Sequence, residues 1–309
     1  MSDDDAYAAF KAVRFEDNGG EAICPDCDCD AVYEFKSRRI FKCKACEKQF
    51  SLTSGTIFAS RKMSMRDILV AIALFVNGAN GHAALRLSRD INCSYKTAFV
   101  LLHKLRRAIG DIQAENTLVG TVEIDGIYFG GHVRAENMKI DRKDRRKQYN
   151  EKRNVIVTIR ERRRGGRSRA IVVKQEGDAV KTILEVVHPS SDLVTDEGTS
   201  WGKLFLPFNG HKTVNHSMGH MIRGVHINGV EGQNSRIRRA ETGVYLHINS
   251  RHAQAYADEL SWRDDCRRIS NGQQFRAVLG QVAKRWQAED WWKGYWHKRP
   301  KPVGAKSAA

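Results

Sequence analysis

The chain of 309 residues has room for about two or three domains of ordinary size, and its 41% hydrophobic content is enough for a real core. No run of about 18 apolar residues exists, which excludes a membrane-spanning helix, and the acidic start Met1-Ser2-Asp3-Asp4-Asp5 is unlike a signal peptide, so the expected location is the cytosol. Lys+Arg 52 against Asp+Glu 36 gives a net charge of +16, with 15 Lys/Arg against 5 Asp/Glu in residues 132–169 alone. Residues 284–306 hold 7 Lys/Arg against 2 acids, interleaved with Trp286, Trp291, Trp292 and Trp296. Clustered positive charge among aromatics points to a nucleic-acid partner.

Residues 1–20 carry no pattern strong enough to assign. Then come Cys24-Pro25-Asp26-Cys27 and, after fifteen intervening residues, Cys43-Lys44-Ala45-Cys46. Two such knuckles have the spacing of a tetrahedral four-thiolate zinc site, each offering two sulfurs from one tight turn. Cys29 is a competitor for Cys27 with poorer spacing from Cys24. Residues 32–35 and 39–42 read as two ribbon strands. So small a ribbon would draw most of its stability from the metal.

Residues 64–77 read as a helix with Ser64 as N-cap and Met65, Ile68, Leu69, Ile72 and Phe75 on one face. A helix over 83–89, a turn at Asp90-Ile91-Asn92-Cys93 and a second helix from Ser94 to about 109 have the layout of a helix-turn-helix. Tyr95, Lys96, Thr97 and His103 are its candidate groove or phosphate contacts.

From 117 the pattern changes to strands. Residues 119–129 form the first, with Asp125 in its middle, followed by a basic insertion at 132–153 expected to be loop or disordered. A hairpin over 154–160 and 169–174 turns at Arg164-Gly165-Gly166-Arg167. A helix over 178–187, a strand over 192–195 ending at Asp196, a helix over 199–205, a strand over 211–215 and a helix from about 230 to 239 complete the domain. That order is ribonuclease-H-like, and such a fold sets the first and fourth strands side by side. A buried carboxylate is costly unless paired or bound to metal. Asp125, Asp196 and Glu231 are therefore the candidate ligands of two divalent cations about 3.5–4 Å apart. Arg238, two turns after Glu231, shares its helix face and is placed to touch a phosphate. Residues 271–296 read in part as an amphipathic helix suited to core packing.

The predicted class is multi-domain α+β. An N-terminal segment (1–20) leads into a zinc ribbon (21–60), a helix-turn-helix domain (61–115), a ribonuclease-H-like α/β catalytic domain (116–268, insertion 132–153) and a basic, Trp-rich tail (269–309).

Over residues 23–268 the chain resembles bacterial insertion-sequence transposases of the DDE type with an N-terminal zinc ribbon, the ISXO-like group. The resemblance rests on Cys24-Pro25-Asp26-Cys27, Phe50-Ser51-Leu52-Thr53-Ser54-Gly55-Thr56-Ile57-Phe58, Leu87-Ser88-Arg89-Asp90 and Ser94-Tyr95-Lys96-Thr97-Ala98. In the second half it rests on Val122-Glu123-Ile124-Asp125 with Tyr128 and Gly130-Gly131, Thr195-Asp196-Glu197, Val214-Asn215-His216-Ser217 and His226-Ile227-Asn228-Gly229-Val230-Glu231-Gly232. It implies catalysis by Asp125, Asp196 and Glu231, with His226 and Asn228 near the metals and Asn228 an alternative third catalytic residue. It also implies one structural Zn²⁺, two catalytic Mg²⁺ or Mn²⁺ ions, transposon terminal repeats and target DNA as partners, a homo-oligomer on DNA and a nucleoid-associated location. The chain departs from the group's pattern at Gly126 and Ile127, where an acid and Thr are usual, and at Asn234 and Arg238, where an aromatic and Lys are usual. Two other readings compete: a non-catalytic zinc-ribbon and helix-turn-helix regulator, and a nuclease that does not join strands.

Overall fold

A computed structural model describes residues 1–115, 117–130, 138, 140, 153–214 and 225–284. The basic insertion, Asn215-His216-Ser217 and the Trp-rich end of the tail lie outside the described residues. The chain forms two compact units, one from Met1–Ala73, Leu87–Leu105 and the chain from Phe275, the other from Leu74–Arg86 and Arg106–Gln274.

In the first unit the N-terminal segment, unassigned above, is a helix, α1 (Asp3–Arg14). The Asp5 amide donates to Ser2 Oγ at 3.1 Å and the Ser2 amide to Asp5 Oδ2 at 2.8 Å, a reciprocal pair that satisfies amides the first turn leaves open. The ribbon has three strands rather than two, β1 (Val32–Phe35), β2 (Ile40–Cys43) and β3 (Gln49–Ser51), paired antiparallel in that order. Helix α1 completes it. Phe10 sits 6.4 Å from Phe58, Phe15 meets Phe41 edge-on at 6.4 Å, and Phe41 stacks on Phe50 at 5.3 Å. Arg14 donates to the carbonyls of Ser51, Leu52 and Ser54, and Lys11 pairs with Glu34 at 2.9 Å. The ribbon thus has a small aromatic core of its own.

Helix α2 (Met65–Asn77) starts where Ser64 Oγ accepts from the Asp67 amide at 3.0 Å. Helix α3 (Ala84–Asp90) ends at Asn92, whose φ of 48° is the left-handed conformation that short polar side chains tolerate. Helix α4 (Tyr95–Ala114) begins with Ser94 Oγ accepting from the Thr97 amide at 3.2 Å, and runs one turn longer than its apolar pattern suggests.

The second unit is built on five strands: β4 (Thr121–Gly130), β5 (Arg153–Glu161), β6 (Ser168–Val173), β7 (Asp192–Asp196) and β8 (Gly210–Val214), in the order β6-β5-β4-β7-β8. The first three pair antiparallel, β7 lies parallel to β4 and β8 parallel to β7, so the first and fourth strands are neighbours. Helix α5 (Val180–Val186) follows β6, and α6 (Asn228–Ala240) and α7 (Ala253–Cys266) follow β8; most of α8 (Asn271–Ala283) belongs to the first unit. Residues Thr199–Leu204 form a 3₁₀ turn rather than the expected helix. Successive side chains of β4 point to opposite faces. Val122 and Ile124 pack with Ile183 and Trp201, whereas Ile127 and Phe129 pack with Ile237, Tyr256 and Leu260. Apolar side chains thus pack on both faces of β4, and Asp125, half-buried, shares the face of Ile127 and Phe129. No described helix is long and apolar enough to cross a membrane.

Buried ions tie α4 to α7 within this unit. Arg106 (1% exposed) donates to Glu259 (0%) at 2.6 Å, Arg263 donates to the same carboxylate at 2.9 Å, and Tyr245 Oη donates to it at 2.7 Å. Burial would raise the Glu259 carboxyl, but Arg106 and Arg263 outweigh it and hold it below the ordinary carboxylate range.

Candidate metal centres

The sulfurs of Cys24, Cys27, Cys43 and Cys46 lie within 4.8 Å of one another, with Cys24 to Cys46 at 3.6 Å and Cys27 to Cys43 at 3.5 Å. A tetrahedron with metal–sulfur bonds of about 2.3 Å has edges of roughly 3.8 Å, so the four thiols fit one zinc ion. The amides of Cys46 and Ala45 donate toward Cys43 and bring its thiol down to about 6, favouring the thiolate a metal needs. Cys29 stands aside, with its sulfur 4.0 Å from the Ala31 carbonyl.

The second centre is assembled by the sheet. Pairing between β4 and β7 runs from Thr121↔Asp192 to Glu123↔Val194 and stops there, although both strands continue. Extended by two residues, that register sets Asp125 beside Asp196 at the place where the ladder has opened. Burial pushes the Asp125 carboxyl up to about 6. Hydrogen bonds from Asn234 and the Gly126 amide oppose the rise, while the negative charges of Asp196 and Glu231 add to it. Acids from three distant segments are thus close enough to feel one another.

Each is held by residues that spacing alone did not single out. Asn234 Nδ2 donates to Asp125 Oδ2 at 2.8 Å and the Gly126 amide to Oδ1 at 2.9 Å. Where an aromatic was expected, the helix therefore presents an amide to the central acid. Asp196 Oδ1 accepts from the buried Trp201 indole at 2.7 Å and the Gly198 amide at 3.2 Å, fixing the carboxylate through one oxygen. Glu123 (1% exposed) anchors the start of α6: its Oε2 accepts from the Val230 amide at 2.9 Å and its Oε1 from Arg162 Nε at 2.7 Å. A carboxylate at a helix N-terminus is favoured by the helix dipole. A Cβ on Gly229 would lie 2.7 Å from Glu123 Oε2, so only Gly lets the helix approach this closely. Arg162 also donates to the His226 carbonyl, and His226 Nδ1 lies 3.7 Å from Glu123, so His226 faces the anchor. Glu231 is half-buried one turn into α6, and Asn228 opens the helix exposed. Glu231, Asn234 and Arg238 recur at i, i+3 and i+7, one stripe of the helix, with Arg238 exposed at its far end.

The donor set fits hard divalent cations, which take carboxylate oxygens. Asn234 Oδ1 and Thr158 Oγ1 are buried without a hydrogen-bond partner, and both flank Asp125, Thr158 as its cross-strand neighbour. Among the described residues neither Asp125 nor Asp196 has an ion-pair partner. Half-buried carboxylates without a countercharge are what a bound cation would relieve.

At the start of α4, Tyr95 and Lys96 are exposed and Thr97 is half-buried, its Oγ1 2.9 Å from Ser94 Oγ. His103 must be corrected: it is 2% exposed and packs 4.5 Å from the Phe99 ring, so it presents no surface to a groove.

Residues 117–265 match the ISXO2-like transposase domain, and residues 1–49 match the transposase zinc-ribbon domain. A protein of Halobacterium salinarum, described as an uncharacterized protein in transposable element ISH50, is 29% identical over 108 residues, 34% of this chain and 35% of that protein. The chain thus matches about a third of the length of this curated relative. No solved structure matches.

Proposed function

The chain belongs to the ISXO2-like transposases, and from that premise we propose that it is the DNA transposase of an insertion sequence, cutting and joining strands at a two-cation carboxylate site. The observation that carries this reading is the convergence on Asp125, which the β4–β7 register sets beside Asp196 and whose carboxyl is raised first by burial and then by the negative charges of Asp196 and Glu231. The strand order, three antiparallel strands followed by two parallel ones, supports a ribonuclease-H-like catalytic domain.

In this reading Asp125, Asp196 and Glu231 would hold the cations. Cations bound there would lower the pKa of the attacking water or 3′ hydroxyl and neutralise the departing oxygen. The chain's own residues supply the positioning. Trp201 and Gly198 fix Asp196, Asn234 orients Asp125, and Glu123 with Arg162 holds the first turn of α6 so that Glu231 faces the sheet. Arg238, farther along the same stripe, would meet the phosphate backbone. Glu231 is assigned the third role rather than Asn228, because Glu231 acts electrostatically on Asp125.

The ribbon and the α3–α4 helix-turn-helix would bind the transposon ends, with Tyr95, Lys96 and Thr97 nearest the DNA. The basic insertion and tail would hold phosphates without reading sequence. Joining two ends requires two active sites, hence a dimer or larger assembly.

The test is a supercoiled plasmid carrying the inverted repeats that bracket the gene, incubated with Mg²⁺ or Mn²⁺. Nicking and joined target products from the wild type, absent with Asp125→Ala, are expected. Equal inactivity of both proteins would leave a zinc-bearing DNA-binding regulator, and cleavage without joined products a nuclease.

A further inference from the structure

The carboxylate count at the second centre does not end at three. Gly126 sits in the interior of β4, where glycine weakens a strand and marks a close approach by another group. That group is Glu176, in the 3₁₀ turn between β6 and α5. A Cβ built on Gly126 would lie 2.5 Å from Glu176 Oε1 and 2.9 Å from its Cγ and Cδ, distances no real side chain accepts. The missing side chain is the space the Glu176 carboxylate occupies.

We infer that Glu176 is a fourth carboxylate of the cation site, sharing with Asp196 an ion at the opened edge between β4 and β7; this rests on the metal-dependent reading above. Asp125 reaches that edge from the α6 face of the sheet, and Glu176 reaches it from the α5 face, over Gly126. The ladder's end at Glu123↔Val194 leaves the gap through which both address Asp196. Adjacent residues hold the two carboxylates: Ser200 Oγ donates to Glu176 Oε2 at 3.2 Å, and Trp201 Nε1 donates to Asp196 Oδ1 at 2.7 Å.

Two observations argue that a cation, rather than packing, explains the placement. Ser200 Oγ donates to Glu176 Oε2 at 3.2 Å, and among the described residues Glu176 has no ion-pair partner, although it is half-buried beside another acid. Independently, Asn234, which is 2% exposed and donates through Nδ2 to Asp125, has its Oδ1 buried and without a hydrogen-bond partner beside that carboxylate, an acceptor suited to a bound ion's water. Like charges gathered in a partly dry place repel, and a bound divalent cation is the simplest compensation.

The experiment is calorimetric titration of the full-length, zinc-loaded protein with Mn²⁺ alone, near neutral pH, for wild type, Glu176→Gln, Gly126→Ala and Asp125→Asn. Glu176→Gln keeps the shape and the Ser200 contact but removes the charge; it should weaken Mn²⁺ binding about tenfold, with the metal-free melting temperature no lower than that of the wild type. Gly126→Ala should weaken it similarly by displacing the carboxylate, and the double variant should be no weaker than Glu176→Gln alone. Asp125→Asn should abolish binding. If Glu176→Gln binds Mn²⁺ like the wild type while Asp125→Asn does not, the inference is overturned and the three-acid site stands. If Asp125→Asn also binds like the wild type, or the wild type binds no Mn²⁺, the metal-dependent reading and this inference fall together.

Discussion

The four-cysteine cluster and the proposed carboxylate site are built by opposite strategies. The ribbon takes its four sulfurs from two tight turns that share one small sheet, so each knuckle is complete within four residues. The carboxylate centre takes its groups from β4, β7 and α6, and is held by hydrogen bonds between residues as far apart as Asn234 and Asp125. Locally built ligands fail together when their metal leaves, because little else holds the turn. Ligands delivered by a sheet keep their places without metal, and the energetic burden moves to the scaffold.

Four outcomes would sharpen or break that contrast. The largest concerns zinc. Chelation, or Cys43→Ser, should release one zinc per chain and unfold the ribbon, a loss on the order of 10 kcal/mol in zinc-dependent folding that α1 and its aromatic cluster only partly offset. Metal analysis with proteolysis of residues 21–60 reads it, and a zinc-free but protease-resistant ribbon would contradict it.

Next comes the buried scaffold. Glu259→Gln should destabilise the second unit by about 3–5 kcal/mol, because Arg106 is left charged and buried without its partner. Denaturant unfolding measures this, and an unchanged midpoint would show that the ion cluster is not what carries the site.

Third, Trp201→Phe removes the indole donor from Asp196 while keeping the ring. It should weaken divalent-cation binding by about 10-fold or more, an effect of roughly 1.4 kcal/mol, with little change in fold. Equal Mn²⁺ affinity in the two proteins would mean that Asp196 needs no orienting partner.

The last effect, similar in size to the third, has the opposite sign. Asp125 has a folded pKa of about 6 against an ordinary value of 3.8, so the metal-free folded state binds its proton more tightly than the unfolded chain does. Its charge therefore opposes folding above pH 6, and the penalty fades as pH falls from 6 toward 3.8. Without divalent cations, Asp125→Asn should stabilise the protein at pH 7 by about 1–2 kcal/mol, and the gain should vanish near pH 4. Thermal melts at both pH values test the sign; a variant less stable than wild type at pH 7 would refute it.

Much of the architecture is legible in the residues. Ser64 and Ser94 announce their helices because a cap acts on amides three residues away, and the apolar period of α2 lies within thirteen positions. Helix α1 was missed: Ser2 and Asp5 have the reciprocal spacing of a cap, but it is hidden in an acidic start that draws attention to its charge. His103 failed for the converse reason. Its place on α4 says only that it lies on a helix, and the face it occupies is decided by what packs there.

What the chain's order determined by itself is the set of local devices: the two cysteine knuckles, the caps, the strand and helix periods, and the carboxylates in suspicious places. Tertiary structure alone decided that Gly126 makes room for Glu176, that Trp201 holds Asp196 and Asn234 holds Asp125, and that Glu123 holds the first turn of α6. The physical reason is range. Capping, chelating turns and amphipathic periods act over a few residues, whereas the field at a buried carboxylate depends on every group the packed sheet brings near it, at whatever distance along the chain.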